Sequence, residues 1–372
     1  MVIRLSRSLV GEEEKAALSR VIDTGYLGMG EDVRLFEEEI AQYLGTDRHV
    51  VCVATGTAAL QLGVSSLGLG EGDEVLVPTI TYVASFQAIR ATGATPVACD
   101  VRPGDLYLDM DDAARRLTPA TRAIMPVHYA SGSAGLDAVY DFAQKHGLRV
   151  IEDAAHSIGG RHGGIKVGAR GDVVCFSFDG IKNITSGEGG ALVTADPEVA
   201  RLARDARLLG VERDTEARFA AKRSWTFDVN HQGYRYHMSN LNAALGRVQL
   251  TKLNAFCARR RELAVRYRQS LAGINLVTVL DLNWDEIVPH IFVIRVGGGQ
   301  RDALGDFLKG RGIESGFHYQ PNHRLSLFAA PGPFPVAESA ADEIITIPLH
   351  AALTDDEQGQ VIAAIREFAG ML

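Results

Sequence analysis

Seven lysines stand against thirty-one arginines in this chain, and one of them, Lys182, lies where a lysine can act as a nucleophile. It follows a β-branched run, Asp172–Phe178, that reads as a buried strand, and it sits in a polar loop just after Ser177 and beside Asn183. Gly187–Gly190 then frees the backbone for a sharp turn into a second short strand, Ala191–Thr194. A lysine placed beyond a buried strand suits imine formation. Its amine condenses with an aldehyde, most often that of pyridoxal phosphate, once burial lowers its pKa. The competing reading is an ordinary solvated charge.

Two further stretches supply what that cofactor would need. In VIEDAAHSIGG, Asp153 closes a strand expected at Leu148–Ile151, where a carboxylate can hold a protonated pyridine nitrogen. A plain helix N-cap is the alternative for Asp153. In VCVATGTAAL, Val51–Leu60, a strand runs into Thr55-Gly56-Thr57 at the mouth of a helix. The free N–H groups there form an anion site suited to a phosphate.

In this order the three stretches resemble the DegT/DnrJ/StrS family of nucleotide-sugar aminotransferases, pyridoxal-phosphate enzymes of fold type I, the aspartate aminotransferase fold. The frame FSFxxxKNxTxGEGG, here Phe176–Gly190, is its most specific motif. The likeness runs from Gly25–Gly45 to Ala341–Glu357. It implies that Lys182 forms the imine with the cofactor and, once released by the amino donor, moves the proton. Asp153 would face the pyridine nitrogen, His156 the phenolic oxygen or ring face, and Tyr82 would stack on the ring. Gly56 and Thr57 with the hydroxyl of Ser177 would hold the phosphate, Thr55 standing where asparagine is frequent. Read singly, His156, Tyr82 and Ser177 are ordinary structural residues.

One stretch departs from the pattern. Many relatives carry G-x-N-x-R-M, whose asparagine reaches the partner subunit's phosphate, whereas this chain has Gly233-Tyr234-Arg235-Tyr236-His237-Met238. The resemblance therefore puts Arg235 in the asparagine's place and His237 in the arginine's, and an arginine still pairs with phosphate. The run Gly316–His323 resembles a segment lining the sugar-nucleotide pocket, with His318, Tyr319 and His323 as substrate-binding candidates. A zinc site from His318 and His323 is the alternative, but no carboxylate or cysteine stands at a suitable spacing, so no metal is expected.

The resemblance implies a cytoplasmic homodimer, its active sites at the interface. The enzyme would move an amino group, from L-glutamate by inheritance from the family, to a keto carbon of a nucleotide-linked deoxy-keto-sugar. Two alternatives stay open: a sugar dehydratase of the same family, in which histidine replaces the lysine, and a non-catalytic cofactor-binding regulator, which would want an appended DNA-binding module. A cysteine desulfurase would want a reactive cysteine on a mobile loop. Cys52, Cys99 and Cys175 instead fall in apolar strands, and with Cys257 they read as buried reduced thiols.

These residues need a scaffold. The chain has 372 residues, 46% of them hydrophobic and 23% charged, which is globular composition with room for a large and a smaller domain. A net charge of −8 argues against a general nucleic-acid binder. The cluster Arg259-Arg260-Arg261, with Arg266 and Arg268, reads as a solvated helix face. No run of about 18 apolar residues suggests a membrane span.

From His49 to Asp196 short apolar strands alternate with helical segments, which predicts an α/β fold with a mostly parallel sheet between helices. The expected strands are His49–Val53, Glu74–Val77, Thr95–Cys99, Arg122–Val127, Leu148–Ile151, Val173–Phe178 and Ala191–Thr194. Helices are expected at Gly11–Thr24, Asp32–Leu44 and, as one long element, Ser239–Leu271. The polar stretch Val211–Gln232, with Trp225, has no clear period. Strands near Asn275–Leu280, His290–Val296, Ile313–Tyr319 and Glu343–Ile347, with helices near Arg301–Arg311 and Thr354–Phe368, complete the reading. The expected division is a large cofactor-binding domain over 1–240, with an N-terminal arm 1–30, and over 241–372 the long helix and a small α/β domain.

Overall fold

The computed structural model of the chain describes residues 2–212, 214–222 and 226–372, so Trp225 lies outside the described residues. Its strands in chain order are β1 (His49–Val53), β2 (Glu74–Pro78), β3 (Thr95–Cys99), β4 (Thr121–Ile124), β5 (Arg149–Asp153), β6 (Arg161–His162), β7 (Ile165–Lys166), β8 (Val173–Ser177), β9 (Gly190–Thr194), β10 (Val277–Val279), β11 (Phe292–Val296) and β12 (Ile344–Ile347). Seven of them form the main sheet in the order β1-β9-β8-β5-β4-β2-β3. Four neighbouring pairs are parallel, and β9 runs antiparallel to both β1 and β8. The sheet is thus mostly parallel, as the alternating pattern predicts.

The strands read as continuous apolar runs because both faces are covered. Successive side chains point to opposite faces, so Val51 and Val53 join one core while Val50 and Cys52 join the other. In β8, Val173 and Cys175 divide from Val174 and Phe176 in the same way. With both neighbours of β9 antiparallel to it, β1 and β8 run the same way as β5. Their carboxyl ends therefore open on one edge of the sheet, where ligands of such sheets bind.

Three helices matter for positioning: α1 (Glu12–Thr24), α2 (Glu31–Leu44) and α3 (Gly56–Ser66). The sequence also folds one 32-residue helix, Asn240–Leu271, capped by the Ser239 hydroxyl, which accepts from the Asn242 N–H at 3.2 Å. At 1.5 Å per residue it is about 48 Å long. Its first half buries Ala243, Leu250 and Leu253 against the main-sheet core, and its second half buries Leu263, Ala264 and Tyr267 in a separate core. Gly246 permits the close crossing with α2, since a Cβ there would meet the Phe36 ring at 2.6 Å.

That separate core lies against an antiparallel sheet ordered β10-β11-β12. The strand expected at Ile313–Tyr319 does not form. Ile313 bridges to Ile3 of the N-terminal segment and Gly316 bridges to Thr346, so the chain changes partner within three residues and no ladder develops. The small hairpin of β6 and β7, turning on Gly163 and Gly164, escapes the sequence reading because its strands are two residues each. Within the polar stretch 211–232 a short helix, Asp214–Phe219, is present.

The arginine cluster is corrected at one position. Arg260 is 2% exposed, because its place on the long helix turns it toward the junction of the two cores. All four cysteines are free and buried, and burial pushes each thiol up. No helix among the described residues is long and apolar enough to cross a membrane.

Candidate active site

A cavity of about 450 Å³ opens at the carboxyl ends of β1, β5 and β8. It gathers Thr55, Gly56, Thr57, Tyr82, Asp153, His156, Ser177, Lys182, His318 and Tyr319, residues scattered over more than 260 positions of sequence. Asp179 and Glu188 also line it.

Lys182 is carried on a loop closed by its own main chain. Phe178 N–H donates to Gly189 O at 2.8 Å, and Ser186 N–H donates to Phe178 O at 2.9 Å. Gly187, at φ +80°, supplies the left-handed residue this closure requires. The adjacent Asn183 is 4% exposed and donates to Ile158 O at 3.1 Å and Val288 O at 3.4 Å, which pins the loop to two other segments. Burial lowers the pKa of Lys182; the charges of Asp153 and Asp179 oppose the shift, and the Arg260 guanidinium adds to it.

Asp153 ends β5 and is 6% exposed. The Ser85 hydroxyl donates to its Oδ2 at 2.7 Å and the Ala155 N–H to its Oδ1 at 3.2 Å, so two donors fix a buried carboxylate. Such a group is stable as an anion only with donors or a cation nearby. The turn formed by Thr81 and Ser85, whose hydroxyls lie 2.8 Å apart, carries Tyr82 to the cavity mouth, where it is 59% exposed.

The mouth of α3 is built by close backbone approach. Thr55 caps α3, its hydroxyl accepting from the Ala58 N–H at 3.0 Å. A Cβ on Gly56 would lie 2.8 Å from the Ser177 Cβ, and one on Gly190 would lie 2.5 Å from Thr55 O. Only glycine lets β8, β9 and the α3 mouth come this near, and the result sets N–H groups and the Ser177 hydroxyl around one spot.

Opposite them stands a histidine and tyrosine wall. His156 Nε2 lies 3.2 Å from Tyr319 Oη, and the Tyr82 and Tyr319 rings are 5.7 Å apart. His318 Nδ1 meets Thr346 Oγ1 at 2.9 Å. Burial pushes the pKa of His156 well below its ordinary value and that of His318 down to about 4, with the Lys182 charge adding to both, so these rings are neutral at neutral pH. Burial pushes Tyr319 up.

Two residues taken from the sequence as site candidates are not in the cavity. His323 points elsewhere: its Nδ1 bonds Thr79 Oγ1 at 2.8 Å and its ring stacks on Phe334 at 4.0 Å, so it ties the segment after Pro321 to the large core instead of facing substrate. Arg235 is exposed and outside its own chain's cavity, in an extended stretch bridged to Leu208. The sequence reading missed His290, whose Nε2 lies 3.5 Å from Lys182 Nζ. No motif carries it, for it stands 108 residues from the lysine inside a plain strand approach. Among the described residues no group of three or more His, Cys, Asp or Glu could hold a metal.

The cavity fits pyridoxal phosphate. It offers a half-buried lysine amine, a fixed carboxylate, a glycine cradle at a helix mouth and an aromatic face. His156 adds a buried Nδ1 with no protein partner among the described residues, a polar atom that a ring substituent would satisfy.

Comparisons with known proteins agree with this arrangement. Residues 9–366 match the model of the DegT/DnrJ/EryC1/StrS aminotransferase family. The chain is similar to the aminotransferase TlmJ from Streptoalloteichus hindustanus at 35% identity and a TM-score of 0.92, covering 100% of both chains. It is similar to the sugar aminotransferase CalS13 from Micromonospora echinospora at 29% identity and a TM-score of 0.90, covering 98% of this chain and 99% of that one. The PLP form of Spr1654 from Streptococcus pneumoniae superimposes with a TM-score of 0.92 at 27% identity, over 100% of this chain and 98% of the other.

Proposed function

The chain belongs to the DegT/DnrJ/EryC1/StrS aminotransferase family, and from that premise we propose how its residues divide the work and what they act on. It is a pyridoxal-phosphate-dependent sugar aminotransferase. The proposed acceptor is a keto carbon of a nucleotide-linked deoxy-keto-sugar and the proposed donor is L-glutamate. The observation that carries the reading is one half-buried lysine sharing a cavity with a fixed carboxylate and a glycine-lined helix mouth.

When bound, the cofactor supplies an aldehyde and an electron-withdrawing ring that stabilises negative charge on the substrate carbon. Lys182 is assigned the imine and the proton transfer. Its lowered pKa leaves more neutral amine near pH 7 than a solvated lysine would have. Asp153 would hold the ring nitrogen protonated, with Ser85 keeping its carboxylate aimed. The backbone at Gly56 and Thr57, with the hydroxyls of Thr55 and Ser177, anchors the phosphate. Tyr82 and His156 would hold the ring, and His318 and Tyr319, which line the same cavity, would meet the sugar. Arg235 faces away from its own cavity, which suits a contact with the phosphate of a partner subunit in a homodimer.

The test is an absorbance titration with pyridoxal phosphate, for the wild type and Lys182→Ala, before and after L-glutamate. A visible band is expected in the wild type alone, and it should shift to shorter wavelength when glutamate is added. A band that forms equally in Lys182→Ala removes the lysine's role; a Lys182-dependent band indifferent to glutamate removes the donor assignment.

A further inference from the structure

His290 is 4% exposed, does not line the cavity, and presents Nε2 to Lys182 Nζ at 3.5 Å. It is held there from several directions. Its main-chain N–H donates to Ser131 Oγ at 3.1 Å, and that hydroxyl donates to His156 O at 2.5 Å. Its main-chain carbonyl accepts from Arg260 Nη1 at 3.1 Å, and its ring packs on the His156 ring with centroids 4.5 Å apart. Two residues upstream, Val288 O accepts from Asn183, the neighbour of Lys182. The lysine's loop and the segment leading into β11 are therefore registered against each other at two points.

Arg260 explains why this segment does not drift. Its Nη1 donates to the carbonyls of Pro289, His290 and Leu349, at 3.4, 3.1 and 3.2 Å, and so ties β11's approach to the segment after β12. A buried guanidinium bonded to carbonyls keeps its charge, and with Lys182 it makes a second cation beside His290 costly. Burial first, then the charges of Lys182 and Arg260, hold His290 neutral. The acids that act on the lysine, Asp153 and Asp179, line the cavity side.

We propose that His290 is a positioning residue for Lys182: its neutral Nε2 accepts one hydrogen of the released amine and holds Nζ in one place. An amine with one N–H committed to Nε2 has fewer directions for its lone pair, and misplacement of a reacting atom by about 1 Å can cost a hundredfold in rate. Facing an ammonium, Nε2 accepts, which puts the ring's proton on Nδ1, a buried atom with no protein partner among the described residues. The proposal rests on Lys182 being the imine-forming group.

The experiment compares His290→Phe, which keeps a ring against His156 but has no acceptor, with His290→Gln, whose Oε1 can accept. The first readout uses cofactor-free protein: reductive methylation of Lys182 with formaldehyde and cyanoborohydride across pH, quantified by mass spectrometry. An acceptor favours the charged form. His290→Phe should therefore move the half-labelling pH of Lys182 downward by about half a unit or more, and His290→Gln should leave it near wild type. The second readout is steady-state kinetics, in which Phe lowers kcat about tenfold with little change in the KM of the donor, and Gln restores it to within about threefold. Equal behaviour of Phe and Gln in both readouts would reduce His290 to packing and overturn the proposal. If His290→Phe does not fold, Ser131→Ala, which frees the main-chain N–H of His290, is expected to move both readouts the same way by less; no movement overturns the proposal equally. A wild-type cofactor band that does not depend on Lys182 sinks the lysine reading itself, a result distinct from either outcome here.

Discussion

The chemistry of single residues in this molecule is set by which charges are allowed to stay. Asp153 sits in a buried wall with Ser85 and the Ala155 N–H donating to it, whereas His156, His290 and His318 are held neutral. Lys182 stands between these two groups. Asp153→Asn preserves shape and an acceptor for Ser85 but removes the negative charge, so the ring nitrogen would lose its counter-ion. The expected result is a fall of about a hundredfold or more in the rate of the glutamate half-reaction, by stopped-flow absorbance, with the melting temperature nearly unchanged. The place of Lys182 and Asp153 in the cavity was legible from their positions after strands. That of His290 was not, because nothing local distinguishes it from a core histidine. His323 shows the reverse: a suggestive run of sequence placed it beside substrate, and a hydrogen bond to Thr79 with a stack on Phe334 takes it into the core.

At the scale of elements, the site depends on how closely three pieces of backbone approach: the mouth of α3, the end of β8 and the start of β9. Gly56→Ala would set a Cβ within 2.8 Å of the Ser177 Cβ, and neither atom belongs to a flexible tip. The expected cost is about 1–3 kcal/mol of stability by denaturant melts. It should come with a weaker cofactor, seen as a right-shifted pyridoxal-phosphate titration. Strands and helices of this half were readable because each buries alternate residues in two cores, which forces continuous apolar runs. The segment Ile313–Tyr319 was misread as a strand for a related reason. Its composition suits a strand, but its partners Ile3 and Thr346 lie on different elements. The residues after Gly316 are used to wall the cavity.

For the whole molecule, three neutral histidines around one lysine, two buried and His318 half-buried, make stability depend on pH. Each has a folded pKa below its unfolded value near ~6.5, so between the two the unfolded chain binds more protons and stability rises with pH. The histidines' contribution to the stability of the cofactor-free protein should therefore be complete above about pH 6.5 and be lost as pH drops toward 4, the region to which His318 is pushed. Urea melts at a series of pH values check the sign, and His318→Asn should flatten part of the slope. Lys182 adds to the same sign at higher pH, since its folded pKa is also depressed.

The amino-acid sequence by itself determined the α/β fold, the order of the phosphate, carboxylate and lysine stretches, and the family. Those depend on local patterns: apolar runs, glycines where backbones touch, and side chains just beyond strand ends. Tertiary structure alone decided that Arg260 is buried instead of solvated, that His323 leaves the site, and that His290 meets Lys182. The reason is physical. A solvated charge and a buried one share the same local spacing, and only the packing of the long helix between two cores, with segments some hundred residues apart brought into contact, tells them apart.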